Sequence, residues 1–240
     1  MAEIAYPTKK YLCFILAAIC VVSFGFSLYY HIHPTVDAKA YDKIAWNLAQ
    51  GYGYVEDIHN STTPAVDDAI VRVGPGYEFF LAGIYAIFGH HLWIVWFLQA
   101  LLRVCTAYVL FRIILLLFDT NDGREIIALL AAGIFGFTPD LILLNGMLLA
   151  ETLFVACLVC ALYASLQALE TGKASLVSSL WWGVAALVRP TALVFAMVYA
   201  VYTYVTKRRI LSVLAVLLFP IVLLGAWSLR NSLLYHQPLF

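Results

Sequence analysis

The chain has 240 residues, of which 64% are hydrophobic and only 12% are charged, and its mean hydropathy is +0.90. A soluble domain carries roughly a quarter charged residues, so this composition excludes an ordinary soluble enzyme and indicates a polytopic membrane protein. Basic and acidic residues number 14 each, which gives a net charge of zero. The chain has no excess of basic residues of the kind that attracts nucleic acid, so no nucleic-acid partner is expected. The lipid bilayer is the first partner expected.

The first apolar run follows two basic residues near the N-terminus. Lys9 and Lys10 precede a run from Tyr11 to Tyr30, and roughly 20 apolar residues suffice to cross a bilayer. The run is longer than the apolar region of a signal peptide, and no small-residue cleavage site follows it. We predict an uncleaved first span in a plasma (inner) membrane, with the N-terminus in the cytoplasm.

Residues 31–91 interrupt the apolar sequence and form the predicted outer loop. Within them, 37–50 repeats apolar residues at spacings of three and four, which predicts an amphipathic helix lying at the membrane interface. The segment 74–89 is apolar but too short to cross, so a second short interfacial or re-entrant helix is expected. Polar sequence between spans must lie outside the hydrocarbon or line a cavity, so chemistry is expected in this loop.

Six further spans are predicted after the loop: 92–118, 125–138, 151–169, two crossings within 174–206, and 211–229. The turn between the two crossings is placed outside, at Arg189 and Pro190, because Lys173 and Lys207 on its flanks belong in the cytoplasm. The stretch 141–150 is either a hairpin arm or a re-entrant segment. The prediction is an all-helical bundle of seven spans, with two interfacial helices in the first outer loop, forming one module over residues 1–240.

This topology places charged residues that are far apart in sequence near one outer face: Asp37, Arg72, Glu151, Arg189 and Arg230. Any one of them alone is more commonly an interfacial anchor. Three arginines around one cavity suit a phosphate group, because the guanidinium fork matches its oxygens. A carboxylate in the same cavity is a natural general base for activating a hydroxyl.

Two sets of residues have the composition of metal ligands. His31, His33 and Asp37 lie close in sequence and could bind a divalent metal at Asp37, although their spacing matches no strong metal motif and interfacial histidines are favoured. Cys157 and Cys160 have the spacing of a redox or zinc pair but lie in an apolar run. Small hydrophobic side chains are the favoured interpretation of that pair.

Other polar residues lie within apolar sequence. Arg103 lies near the middle of the second span and should face the bundle interior with a structural polar partner, since a charge there costs about 2.5–3.5 kcal/mol on insertion scales. Most of the aromatic residues fit an interfacial belt. Tyr52, Tyr54 and Tyr77 are kept as candidates for a sugar-stacking surface.

A series of motifs follows in one order along the chain: Asp37 with Tyr41 and Ala45, Gly51-Tyr52-Gly53, Arg72 before Pro75-Gly76-Tyr77, Glu151-Thr152-Leu153-Phe154, Arg189-Pro190-Thr191, and Trp227 with Arg230-Asn231. In this order they resemble the membrane glycosyltransferases of the GT-C class that use lipid-phosphate sugars. The nearest resemblance is to glycosyltransferase family 39, a group of enzymes similar to aminoarabinose transferases and protein mannosyltransferases. Members run roughly twice this length, so the chain is expected to be their N-terminal module.

The resemblance implies a hexosyl- or pentosyltransferase with a polyprenyl-phosphate sugar as donor and a lipid, glycan or protein hydroxyl as acceptor. Asp37 would be the catalytic residue, and the donor phosphate would be bound by Arg72, Arg189 and Arg230. Further candidate site residues are Tyr41, Asp42, Tyr77 and Glu151.

Three positions differ from the family pattern, with Ala38 and Val71 where many relatives carry acids and Glu78 where proline is common. Metal use and the nature of the acceptor therefore stay open. Two other classes also remain open, a polyprenyl-phosphate transporter or flippase and an inactive accessory subunit. The absence of an internal repeat disfavours the transporter, because many transporters are built from inverted repeats.

Overall fold

The computed structural model describes residues 5–57, 74–118, 123–171, 176–207 and 210–235. Over these ranges the regular structure is helical throughout, as predicted. The ten helices are α1 (Tyr6–Tyr30), α2 (Asp37–Ala49), α3 (Gly76–Phe88), α4 (Leu92–Leu117), α5 (Arg124–Phe137), α6 (Pro139–Gly146), α7 (Glu151–Thr171), α8 (Leu176–Val188), α9 (Ala192–Lys207) and α10 (Ile210–Tyr235).

Four helices of the described ranges are long and apolar enough to cross a bilayer: α1, α4, α7 and α10. The pair α5 and α6, bent by 49° at its break, adds a fifth candidate. Helices α8 and α9 have 13 and 16 residues, which is about 20 and 24 Å at 1.5 Å per residue and less than the roughly 30 Å of hydrocarbon. The predicted count of seven spans is therefore not confirmed, whereas an integral membrane protein is.

The bundle has two packed halves. Helices α1, α4 and α5 meet around Ile19, Ala107 and Phe111, while α7 to α10 meet around Trp182 and Val216. The two halves join along α4 and α7. Large apolar side chains on the outer faces stay exposed, as expected for helices that face lipid.

The break between α5 and α6 occurs at Pro139, which has no N–H with which to continue the helix. Two carbonyls left at the end of α5 find side-chain donors. Thr138 Oγ1 donates to Ile134 O at 2.7 Å, and Arg103 Nη2 donates to Gly136 O at 2.6 Å. Arg103 is 3% exposed, so it faces the bundle interior and has a structural polar partner, as predicted.

Helices α2 and α3 form a unit in the region predicted to hold two short helices, and we call it the outer unit because that region is the predicted outer loop. They pack on each other through Ala45 of α2 and Leu81 and Tyr85 of α3. The unit rests on the end of α8, because the segment that opens α3 runs directly against it: a Cβ added to Gly76 would lie 2.7 Å from Val188 N. A larger side chain at this position would force the backbone of one of the two segments to shift.

The predicted turn at Arg189 and Pro190 separates α8 from α9. Helix α8 ends at Val188 and α9 begins at Ala192, since the residue before a proline avoids helical geometry and proline itself cannot bond back into α8. The turn lies beside Gly74, where an added Cβ would be 2.4 Å from Leu187 O. The opening of the outer unit and the end of α8 therefore meet at the site described next.

Candidate functional site

Tyr41 lies at the centre of the candidate site. It is partly buried on α2, one turn after Asp37. Burial raises the pKa of its phenol, the negative charges of Glu78 and Asp37 raise that pKa further, Arg189 lowers it, and Glu151 raises it. Groups from α2, α3, α7 and the α8–α9 turn therefore lie within electrostatic range of one phenol, which stays protonated.

Glu151 and Arg189 form an ion pair beside this phenol. Arg189 Nη2 donates to Glu151 Oε1, and the two side chains are 38% and 30% exposed, respectively. Glu151 is the first residue of α7, where its charge favours the helix N-terminus. The Arg189 guanidinium also lies over the Phe154 ring, 5.9 Å from its centroid. The arginine is thus held on two sides and remains open to solvent.

Arg230 approaches from the end of α10 and lies on two aromatic rings. Its guanidinium carbon is 4.8 Å from the centroid of Trp227 and 5.6 Å from that of Tyr54. Its Nη1 donates to Asn231 Oδ1 at 2.9 Å. Rings at these distances attract the guanidinium and limit its motion.

Tyr54 links Arg230 to the rest of the site. Its hydroxyl donates to Glu78 Oε1 at 2.9 Å, and Glu78 is 0% exposed. Burial and the Glu78 carboxylate raise the Tyr54 pKa, against the opposing effect of Arg230, and Tyr41 also raises it. Sequence reasoning noted Glu78 as a departure from the family pattern and missed its place here, because one acid at the start of an apolar helix carries no periodic signal.

Tyr77 is fully buried beneath Tyr41. Its ring meets the Tyr41 ring edge-on at 5.4 Å, and its hydroxyl donates to Gln99 Oε1 at 2.8 Å. Tyr77 and Tyr54 are 0% and 6% exposed, whereas Tyr52 is 61% exposed. Of the three tyrosines proposed for sugar stacking, Tyr52 alone has a free ring face.

Asp42, although next to Tyr41 in sequence, belongs to a neighbouring cluster. Its Oδ1 accepts from the Tyr85 hydroxyl at 2.5 Å and lies 2.9 Å from His90 Nε2. The Trp46 ring lies 5.2 Å from the His90 ring. The cluster ties α2 to the turn between α3 and α4 and occupies one oxygen of the Asp42 carboxylate.

Asp37 is exposed and is the first residue of α2, while the capping position belongs to Val36 at φ 44°. In the part of the chain that the structure describes, no three His, Cys, Asp or Glu side chains lie close enough together to hold a metal. His31 packs against Trp96 instead, with ring centroids 5.8 Å apart. Cys157 and Cys160 are free thiols on α7. Arg72 lies outside the described residues.

Two comparisons gave no relative: no curated protein and no solved structure matches the chain. A comparison with protein families matches residues 72–228 to the family described as dolichyl-phosphate-mannose-protein mannosyltransferase. The matched range covers well over half of the chain and includes Arg72, Glu151 and Arg189, while Asp37 and Arg230 lie outside it. The chain therefore belongs to the dolichyl-phosphate-mannose-protein mannosyltransferase family, which consists of membrane glycosyltransferases of the GT-C type.

Proposed function

We propose that this protein transfers a hexose or pentose from a polyprenyl-phosphate donor to a hydroxyl of a lipid, glycan or protein at the outer face of the plasma membrane. One observation carries the proposal: Glu151 and Arg189 form a partly exposed ion pair at two helix ends, and their charges, together with that of Asp37, act on the pKa of the Tyr41 phenol. Two carboxylates and an arginine, contributed by three helix ends, suit a phosphate leaving group and a hydroxyl nucleophile. The family description, which names a lipid-phosphate mannose, supports this donor class.

The donor phosphate binds between Arg189 and Arg230, with Arg72 as a third proposed ligand. Arg189 is solvent-accessible in its ion pair, so a phosphate can take one face of its guanidinium while Glu151 keeps it oriented. Arg230 is oriented by the Trp227 and Tyr54 rings. Both arginines stabilise the charge that develops on the phosphate as the sugar leaves.

Asp37 acts as the general base. The acceptor oxygen forms a bond to the anomeric carbon, the bond from that carbon to the phosphate oxygen breaks, and polyprenyl phosphate leaves as the anion. The acceptor proton passes to the Asp37 carboxylate. A single displacement of this kind inverts the configuration of the sugar.

The other groups near Tyr41 are less suited to take the proton. Glu151 is engaged by Arg189. Tyr41 has a raised pKa, so its phenol donates a hydrogen bond instead of accepting a proton. Asp37 is exposed at the start of α2 and can meet an acceptor that arrives from the aqueous side.

The test is the substitution Asp37→Asn, which keeps the shape of the side chain and removes its basicity. We expect transfer of labelled mannose from polyprenyl-phosphate mannose to fall by about 10²- to 10⁴-fold, the usual contribution of general-base catalysis. The matched control is Asp57→Asn, which neutralises an exposed acid of the same outer loop, paired with Lys43 at 2.8 Å. That variant should keep its activity.

Two outcomes would contradict the mechanism. Asp37→Asn activity within tenfold of wild type would remove the base assignment. A product whose anomeric configuration is retained, read by NMR, would exclude the single displacement.

A further inference from the structure

Gln99 is a buried amide in the first third of the spanning helix α4, and each of its hydrogen bonds has a defined direction. Its Nε2 donates to the carbonyl oxygens of Asn145 and Met147, at 2.8 and 3.2 Å. Carbonyls only accept, so the amide nitrogen must face them and Oε1 must face Tyr77. The Tyr77 hydroxyl therefore donates its proton to Gln99, at 2.8 Å. Gln99 and Tyr77 are both 0% exposed.

The two carbonyls belong to the chain that leads into Glu151. Helix α6 ends at Gly146 and α7 begins at Glu151, so Asn145 and Met147 flank the start of a short connection. Their carbonyls point out of the end of a helix inside the bundle, where lipid offers no replacement donor. Gln99 thus holds the backbone four to six residues before the ion-paired carboxylate.

A second buried amide reinforces the same point. Asn145, 0% exposed, donates through Nδ2 to Ser27 Oγ at 3.1 Å and to the Trp96 carbonyl at 3.3 Å. These bonds tie the end of α6 to α1 and α4. The end of α6 is therefore held by the Asn145 side chain as well as by the backbone carbonyls that Gln99 binds.

The other side of Gln99 reaches the outer unit. Tyr77 is the second residue of α3, and its ring lies against Tyr41, the phenol whose pKa responds to the charges of Asp37 and Arg189. One amide therefore contacts both partners whose relative placement the proposed reaction needs. These partners are the unit that carries Asp37 and the connection that leads into Glu151.

We infer that Gln99 is a positioning residue for sugar transfer, which sets the distance between the outer unit and the Glu151–Arg189 pair. The inference rests on the proposed function. Gln99 acts through Tyr77 and the α6–α7 connection and does not itself touch the substrate. Its hydrogen bonds go to α3 and to this connection, not to α8 or α10, from whose ends the donor-binding arginines extend. Loss of Gln99 should therefore slow transfer more than it weakens donor binding.

The test compares Gln99→Met, which keeps the length of the side chain, with Gln167→Met as the matched control. Gln167 makes its hydrogen bond within its own helix, to Tyr163 at 3.0 Å. Transfer from polyprenyl-phosphate mannose is measured per donor-binding site, with the binding stoichiometry and Kd obtained separately. We expect Gln99→Met to lower kcat by about 10- to 100-fold, the effect of misplacing reacting groups by about 1 Å, with stoichiometry unchanged and Kd within about threefold. Gln167→Met should match wild type.

Tyr77→Phe removes one of the bonds and keeps the ring. It should lower kcat by a smaller factor, and adding it to Gln99→Met should have no further effect, because the bond is already lost. A Gln99→Met protein with wild-type kcat overturns the inference, and so does one that loses binding sites in proportion to activity. Wild-type protein that binds polyprenyl-phosphate mannose but transfers no sugar would instead contradict the proposed function.

Discussion

An arginine is an effective phosphate ligand when its guanidinium is already held in place, because less rotamer entropy is then lost on binding. Arg230 is held by Trp227, 4.8 Å away. We expect Trp227→Leu to weaken binding of polyprenyl-phosphate mannose by about 2- to 30-fold, corresponding to about 0.5–2 kcal/mol for a cation–π contact. Equilibrium binding to the purified protein in micelles measures this change.

The matched control for that prediction is Trp93→Leu, because Trp93 lies at the start of α4 and is 53% exposed. Its loss should leave donor affinity unchanged. Equal weakening in both variants would point to a general loss of aromatic contact with the detergent or lipid. Unchanged affinity in Trp227→Leu would show that Arg230 needs no ring beneath it.

The sequence identified charged residues that interrupt apolar runs. It missed residues whose role depends on contacts with partners that are distant in sequence. Asp37, Glu151 and Arg189 are charges at the ends of apolar runs, and all three act on the pKa of Tyr41. Gln99 is a single amide within 26 residues of α4, and no local pattern marks its partners. These partners lie 22 and 46 or more positions away, so only tertiary packing reveals them.

At the scale of helices, the outer unit depends on the absence of side chains where it meets α8. A Cβ on Gly76 would lie 2.7 Å from Val188 N, whereas Gly83 on the same helix has nothing within 4 Å. We expect Gly76→Ala to destabilise the protein by about 1–3 kcal/mol through overpacking. It should also lower transfer activity, because α3 carries Tyr77 and Glu78 into the site.

The control is Gly83→Ala, which should leave stability unchanged or raise it by up to about 1 kcal/mol, since alanine favours a helix interior over glycine. Thermal unfolding of both variants, monitored through the loss of donor binding, measures the difference in their stability. If Gly76→Ala is as stable and as active as Gly83→Ala, the close approach to α8 is not needed for the site.

The helices themselves were largely predictable because their ends are marked locally. The start of α2 at Asp37, the break at Pro139 and the turn at Arg189 each coincide with a charged residue or a proline that interrupts the apolar sequence. Hydropathy could not distinguish a crossing from a short helix packed between longer ones. Helix α8 packs against α7 and α10 and buries Ser178, Ser179 and Trp182, so its apolar sequence serves protein contacts as well as lipid.

At the scale of the whole molecule, the contacts place several helix ends on one face. Glu151 opens α7 and pairs with Arg189 after α8, and Arg230 near the end of α10 contacts Tyr54 of the outer loop. The opposite face holds the start of α1, where Thr8 donates to Glu125 at the start of α5. The proposed cytoplasmic position of the basic N-terminus would make the face of Glu151 the outward one.

This orientation predicts a labelling pattern for two introduced cysteines, in a variant from which the five native cysteines have been removed. Asp57→Cys, exposed in the outer loop, should react with a membrane-impermeant maleimide on intact cells. Thr171→Cys, exposed at the far end of α7, should react only after permeabilisation, because Glu151 and Thr171 are the first and last residues of an apolar-rich helix of 21 residues. The reverse pattern would place the site in the cytoplasm and exclude a donor bound from outside. Labelling of both cysteines on intact cells would mean that α7 does not cross the membrane. In that case the shared face of Glu151, Arg189 and Arg230 would have to lie within one leaflet of the bilayer.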